Sequence, residues 1–166
     1  MKNNIVLIGM PSCGKSTIGV VLAKAIGYRF VDSDLVIQER TGKLLSEIIE
    51  EVGREGFLDI EAKINSELCA NRCVIATGGS VIYRDSAMQK LKTKGKIVYL
   101  KHKYEVIERR LGDLKKRGVA LKDGFTLRDL YNERTPLYEK YADIIVEMPD
   151  GTKAEAVTAV MGALKA

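Results

Sequence analysis

The sequence predicts an α/β domain with a five-stranded parallel sheet flanked by helices on both faces. Three observations carry that expectation. Five short apolar runs, "NIVLIG", "YRFVD", "CVIAT", "KIVYL" and "DIIVE", recur along the whole chain. Helical periodicity fills the intervals between them. Several of the runs are apolar at consecutive positions rather than alternate ones, as in strands covered on both sides. With 166 residues, 46% of them apolar and 30% charged, the chain reads as one domain, 1–166, with no repeat, low-complexity stretch or proline-rich linker.

The elements follow in order. "NIVLIG" reads as a buried strand, and Lys15 to Ile26 as a helix with Ile18, Val21, Leu22 and Ile26 on one face. "YRFVD" is a second strand ending at Asp32. Helical patterns run from Leu35 to Thr41, from Leu44 to Val52 and from Arg54 to Ala70. "CVIAT" closes on Gly78-Gly79. A helix from Asp85 to Thr93 leads to "KIVYL", and another runs from Tyr104 to about Leu111. The segment 112–124 is bounded by glycines, lacks apolar periodicity and reads as a mobile lid. Thr126 suits a helix N-cap, and that helix is expected to bend near Pro136. "DIIVE" is the last strand, and Thr152 to Leu164 the last helix.

Composition narrows the function. The apolar runs are too short to span a bilayer, and "MKNNIVLIG" has too short an apolar core for a signal peptide, so a cytoplasmic protein without a membrane partner is expected. Three cysteines, Cys13, Cys69 and Cys73, suit a reducing compartment rather than a disulfide framework. Cys69 and Cys73 are spaced to face each other across a helical turn, but no second pair completes a zinc site. They read as small, half-buried core thiols. The net charge of +5 is modest, and "LKKRG" at 114–118 is too short and too poor in aromatics to indicate nucleic acid.

The chemistry begins at "GMPSCGKST". Gly9, Gly14, Lys15 and Ser16 fit G-x-x-x-x-G-K-[ST], between a predicted strand and a predicted helix. Glycines let the backbone turn its N–H groups inward, and the helix start adds a favourable dipole for anions. Lys15 suits the β and γ phosphates of ATP, and the Ser16 hydroxyl suits Mg²⁺. The nucleotide contacts are therefore Gly9, Ser12, Cys13, Gly14, Lys15, Ser16 and Thr17. Cys13 lies beside Lys15 near a helix start, where bound nucleotide is expected to slow its alkylation. A guanine-reading N/T-K-x-D stretch is absent, as is room for the sensor elements of oligomeric ATPases.

"FVDSD" supplies the acids. Asp32 and Asp34 alternate at a strand end, which would place both carboxylates on one side, about 6–7 Å apart. Ligands of parallel sheets bind at the carboxyl ends of strands, so both acids should approach the phosphate loop. Asp32 then suits the water shell of Mg²⁺ and Asp34 the acceptor hydroxyl. The alternative, in which they cap the next helix, stays open, and Asp34 can do both.

"GMPSCGKSTIGVVLAKAIGYRFVDSD", "GREGFLDIE", "IATGGSV" and "ERTPLYEKYAD" occur in an order and spacing that resemble shikimate kinases, over nearly the whole chain. The resemblance implies a monomeric kinase of the P-loop fold that moves the γ-phosphate of ATP to the 3-hydroxyl of shikimate with Mg²⁺. It implies that Asp34 holds the acceptor hydroxyls and takes the proton, that Asp32 lies near Mg²⁺, and that Gly78 and Gly79 present N–H groups to the substrate. It further assigns Arg134 to the substrate carboxylate, Arg110 to the adenine and Arg117, in the lid, to the phosphates. The acceptor-binding helices fall at about 35–62.

Three positions depart from the family pattern. Leu58 stands where the family has a second carboxylate-binding arginine, Ser80 replaces the third glycine of a "GGG" turn, and Gly118 follows Arg117 where a proline is usual. Losing one charge-assisted contact of about 1.5–3 kcal/mol weakens binding by about one to two powers of ten. Leu58 would also offer the site apolar surface. Arg54, one helical turn away, and Arg84 are the nearest substitutes, and Ser80 offers the ligand a hydroxyl. Two acceptors remain open on these residues, shikimate and another small hydroxylated metabolite. A protein that binds nucleotide without turnover is a third reading, opposed by Lys15, Asp32, Asp34 and Arg117. His102, the only histidine, has no ligand-spaced partners and reads as a surface residue, and Tyr131, Tyr138 and Tyr141 read as core packing.

Overall fold

The computed structural model describes residues 3–111 and 118–166. The strands β1 (Asn4–Ile8), β2 (Arg29–Asp32), β3 (Cys73–Ala76), β4 (Gly95–Lys101) and β5 (Ile144–Glu147) form one sheet in the order β2-β3-β1-β4-β5. Every pairing is parallel. The three central strands are nearly all buried, which explains their consecutive apolar residues, whereas the edge strands β2 and β5 are partly exposed.

Seven helices connect the strands among the described residues. They are α1 (Lys15–Ile26), α2 (Ser33–Thr41), α3 (Leu45–Glu67), α4 (Asp85–Lys94), α5 (Tyr104–Arg110), α6 (Leu127–Tyr141) and α7 (Lys153–Lys165). Their ends carry the expected signals. Thr126 and Thr152 cap α6 and α7 with reciprocal bonds to Asp129 and Glu155. In α3, Gly53 at φ 73° breaks the helical path, so the two runs read from the sequence on either side of it are one kinked element.

Three findings refine the expected elements. First, α6 continues through Pro136 as one element, with the proline inside it. Leu130, Arg134, Tyr138 and Tyr141 are buried on both sides of the proline, so packing of that stripe outweighs the lost backbone bond. Second, α3 ends at Glu67, which leaves Cys69 exposed beyond the helix and Cys73 buried at the start of β3; they share no helical turn. Third, α2 begins at Ser33, so Asp34 lies in its first turn and not on the strand.

The apolar interior has two parts. The larger packs the helices on the sheet, centred on Val6, Leu7, Val74 and Val98. The smaller joins Ile37, Leu45, Ile48, Phe57, Leu58, Ile64 and Ala120. It lies under α2 and α3, at the carboxyl end of β2. At the amino ends of the central strands Asn4 accepts from Cys73 N (3.0 Å) and donates to the carbonyls of Ala70 and Lys94 (both 2.9 Å), tying three chain segments together.

Two glycines should respond in opposite ways. A Cβ at Gly95 would lie 2.6 Å from the carbonyl oxygen of Asn4, its ladder partner. Gly95→Ala should therefore destabilise by about 1–3 kcal/mol. Gly162 is exposed in α7 with open space around it, so Gly162→Ala should stabilise by about 0.5–1 kcal/mol through helix propensity. Denaturant unfolding of both variants checks the pair, and equal effects would contradict the packing described.

Candidate active site

Strand order reverses at β1, which has β3 on one side and β4 on the other. In open parallel sheets such a reversal leaves a crevice at the carboxyl ends of the strands. Residues 9–14 occupy that crevice, followed by α1. Gly9 (φ 149°), Ser12 (φ 62°) and Gly14 (φ 93°) take positive φ. A side chain at Gly9 would press on Cys13 Sγ and the Leu100 carbonyl, each at 2.9 Å, so the first glycine is needed for space as well as for conformation.

Lys15 curls back over the loop. Its ammonium donates to the carbonyls of Gly9 (2.8 Å) and Met10 (2.9 Å) and is nearly buried. The same ammonium approaches Cys13 Sγ at 3.6 Å, and that thiol is wholly buried in the larger core. That corrects its expected reactivity: alkylation should be slow whether or not nucleotide is bound. Only the backbone of Cys13 belongs to the loop surface.

The loop separates two cavities. The first, about 380 Å³, is lined by Ser12, Gly14, Lys15, Ser16 and Thr17 on one side. Asp34, Glu61, the Gly78–Ser80 turn and Arg134 line the other. The second, about 420 Å³, also borders Ser12, Gly14 and Thr17, and is completed by His102, Arg110, Pro149 and the start of α7. The cavities share the phosphate loop, an arrangement for two ligands that meet over it.

In the first cavity Ser16 Oγ donates to Asp32 Oδ2 (2.6 Å), while Asp32 Oδ1 accepts from the backbone N–H of Asp34 (3.0 Å) and of Leu35 (3.4 Å). Asp32 therefore caps α2, the alternative left open above. The hydroxyl and the carboxylate are hard oxygen donors, and no group of three metal-binding side chains exists among the described residues. That donor set fits Mg²⁺, which keeps waters and phosphate oxygens as its remaining ligands.

Asp34 Oδ1 is buried without a hydrogen-bond partner. Burial first and the charge of Asp32 second push its pKa up to about 6, against the pull of Lys15. Glu61 is more deeply buried still; its Oε2 accepts from Ser80 Oγ (2.6 Å), and its Oε1 has no partner. Burial raises its pKa to about 7, the Ser80 hydrogen bond opposes that, and the Asp34 charge adds to it. Both carboxyl groups pack against Gly78, where any Cβ would collide with them.

Arg134 is wholly buried. It donates from Nη2 to the Ala120 carbonyl (2.9 Å) and from Nε to Tyr83 Oη (3.3 Å), and lies on the Tyr83 ring. Tyr138 donates to the Gly79 carbonyl (2.6 Å), so it holds the glycine turn as well as packing against Tyr99. Arg84 is committed on the surface to Glu55 and Asp59. Arg54 stacks on the same Tyr83 ring, with its guanidinium 4.8 Å from the centroid, but does not line the cavity. Leu58 corrects a further expectation: it is buried in the smaller core and offers the site no apolar surface.

The structure thus brings together Gly9–Thr17, Asp32, Asp34, Gly78, Gly79, Ser80 and Arg134, and places Arg110 at the second cavity. Arg117 and the first half of the lid, 112–117, lie outside the described residues. Gly118, Val119 and Ala120 line the first cavity beside Leu45. Sequence reasoning passed over Glu61, although it falls on the buried stripe Phe57, Glu61, Ile64 and Asn65 of α3, where a carboxylate is out of place. It also put His102 on the surface, whereas the side chain is buried just past β4, at the crevice edge of the sheet.

A phosphate loop at the switch point, a hydroxyl–carboxylate pair for Mg²⁺, and a separate polar cavity with a carboxylate and an arginine define a P-loop kinase of small molecules. The family model described as shikimate kinase matches residues 11–165. A shikimate kinase from Clostridium botulinum is 39% identical over 147 residues, 88% of each chain. One from Pseudomonas paraeruginosa is 41% identical over 147 residues, 87% of this chain and 86% of the other. The structure of a shikimate kinase from Acinetobacter baumannii in complex with shikimate has a TM-score of 0.89 at 32% identity, covering 98% of this chain and 93% of that one. This chain belongs to the shikimate kinase family.

Glu61 gives the site a measurable signature in stability. Its folded pKa of about 7 lies above the ordinary value of 4.5. The unfolded chain therefore loses its proton first, and the stability contributed by Glu61 is whole below about pH 4.5 and declines as pH rises through 7. The slope across that window approaches about 1.4 kcal/mol per pH unit. Glu61→Gln keeps an acceptor for Ser80 and carries no charge. Unfolding measured at pH 5 and pH 8 should show the variant gaining on the parent at the higher pH. A constant difference between them would refute the burial of an ionisable Glu61.

Proposed function

We propose that this protein transfers the γ-phosphate of ATP to the 3-hydroxyl of shikimate, with Asp34 as the base and Arg134 as the anchor of the substrate carboxylate. One observation carries the assignment of the acceptor: Asp34 and Arg134 face a single cavity whose floor is the phosphate loop. The membership in the shikimate kinase family gives the activity class, an ATP- and Mg²⁺-dependent phosphotransferase with an alcohol acceptor.

Phosphoryl transfer is mainly a matter of position and charge. Bound over the loop, the polyphosphate takes the Lys15 ammonium away from its two backbone carbonyls, so that the cation neutralises the moving phosphoryl group. Ser16 and Asp32 are the residues that would hold Mg²⁺, which would offset phosphate charge. The acceptor oxygen forms its bond to the γ-phosphorus as the bond to the β-phosphate oxygen breaks, and its proton passes to Asp34. A carboxylate whose pKa is raised to about 6 is still ionised at neutral pH and is a better base than an ordinary one.

The Gly78–Ser80 turn, held by Tyr138, presents backbone N–H groups to the substrate. Among the described residues lining the acceptor cavity the only cations are Lys15 and Arg134. The carboxylate is accordingly gripped by one arginine, with Leu58 spent on the core. Arg110 lies against the adenine, and the phosphate role of Arg117 rests on the family resemblance, since that residue lies outside the described ones. The protein acts as a cytoplasmic monomer without a nucleic-acid partner. The supporting facts are the modest charge, the unpaired cysteines and, among the described residues, the lack of a helix long and apolar enough to cross a membrane.

Coupled ADP release with Mg-ATP and shikimate, beside a panel of polyols and hydroxy acids, tests the reading. Shikimate should give stoichiometric ADP, Lys15→Met should lower kcat by at least about 10²-fold, and Asp34→Asn by about 10²–10⁴-fold. Turnover of another acceptor in place of shikimate would overturn the substrate, and full activity of Asp34→Asn would overturn the base.

A further inference from the structure

His102 is a buried histidine that the phosphotransfer chemistry does not use. It follows β4 directly and lines the second cavity together with Arg110, Thr17 and the residues that open α7. Its side chain is 5% exposed. Nε2 lies 3.0 Å from the carbonyl oxygen of Cys13, inside the phosphate loop. A carbonyl oxygen only accepts, so Nε2 carries the proton and donates it. That bond fixes the tautomer and leaves Nδ1 with a lone pair.

Nδ1 is buried and has no hydrogen-bond partner. Burial pushes the imidazole's pKa down, the bond to Cys13 resists, and the nearby Arg110 guanidinium pushes it down further, so the ring is neutral. The Arg110 Nη1 at 3.4 Å approaches Nε2, the protonated nitrogen, and therefore supplies no hydrogen bond to the lone pair on Nδ1. Tyr131 donates to the His102 carbonyl (2.8 Å), which fixes the backbone beneath the ring. The ring is thus held at its Nε2 and through its backbone carbonyl, and it borders a cavity that adjoins the phosphate loop while its buried Nδ1 is unsatisfied. A buried acceptor left unpaired is costly, and a bound donor would recover that cost.

We propose that His102 Nδ1 is a recognition residue for the nucleoside half of the nucleotide, accepting a hydrogen bond from a donor on it. This rests on the reading of the second cavity as the nucleoside end of the ATP site. ATP carries few donors: its phosphates are acceptors near neutral pH, which leaves the 6-amino group of adenine and the hydroxyls of the ribose. Either source satisfies Nδ1. The loop bond and the nucleoside bond belong to one ring, so the same side chain braces the phosphate loop and reads what is attached to the phosphates.

The two nitrogens can be separated by substitution. In His102→Gln the side-chain amide extends far enough to keep a donor for the Cys13 carbonyl while removing the Nδ1 acceptor. His102→Asn places its carbonyl oxygen near the position of Nδ1. Steady-state kcat/KM would be measured with shikimate for ATP, purine riboside triphosphate (no 6-amino group), 2′-deoxy-ATP and 3′-deoxy-ATP. The parent should prefer ATP to one of these analogues by about tenfold, the scale of one buried hydrogen bond. His102→Gln should lose that preference, and His102→Asn should retain part of it.

If the lost preference is against purine riboside triphosphate, the donor is the base; if against a deoxy analogue, it is the sugar. An equal loss of kcat/KM for all four nucleotides in His102→Gln would mean that His102 only braces the loop, and would overturn the proposal. Unchanged kinetics in both variants would overturn it as well. A parent that fails to turn over shikimate with any of the four would reject the proposed activity itself. In that event titration of the analogues against the parent and His102→Gln by calorimetry decides the contact separately.

Discussion

The reversal of strand order at β1 is the constraint on which the site depends. A parallel sheet must send every connection back across one of its faces, and at β1 successive connections leave toward opposite edges. The chain leaving β1 then has no neighbouring crossover above it, and a loop can lie there with its backbone exposed to a ligand. The glycines at 9 and 14 are the local response to that opening. The sheet below them is buried on both faces, so the loop rests on a floor that cannot yield without disturbing the core.

Polar groups around this opening hold one another in a chain. Asp32 caps α2, receives Ser16 and raises the pKa of Asp34. Ser80 fixes one oxygen of Glu61, and Tyr138 holds the turn on which Ser80 sits. Arg134 completes the circle through Tyr83 and the Ala120 carbonyl. Few of these groups face water, so each depends on its neighbour for a hydrogen bond. Of the buried side-chain atoms left unpartnered, Asp34 Oδ1, Glu61 Oε1 and His102 Nδ1 belong to residues that line the two cavities.

Local chemistry was legible in the sequence wherever it repeats at short range. The phosphate loop, the strand runs and the threonine caps each lie within a few residues, and so do the glycines around 53 and 78. What depended on a distant partner was not. Asp34 looked like a strand residue because the start of α2 is set by Asp32 capping it. That α6 stays one element past Pro136 was not legible, because the burial of Arg134 and Tyr138 against other elements is invisible locally. His102 looked exposed because its partner is a carbonyl 89 positions away. Leu58 looked like a gap in the binding site, and only the packing of α2 against α3 shows that its side chain has somewhere else to go.

The separation of the interior into two apolar clusters has an evolutionary reading. The smaller cluster, under α2 and α3, shapes one wall of the acceptor cavity, while the nucleotide loop stands on the larger one. A substitution that reshapes the smaller cluster alters which metabolite fits, and the machinery that handles the triphosphate is left as it was. Leu58 lies wholly within the smaller cluster, behind the residues that line the cavity. A scaffold divided in this way can acquire new acceptors by drift in one module, with the costly part of the chemistry inherited intact.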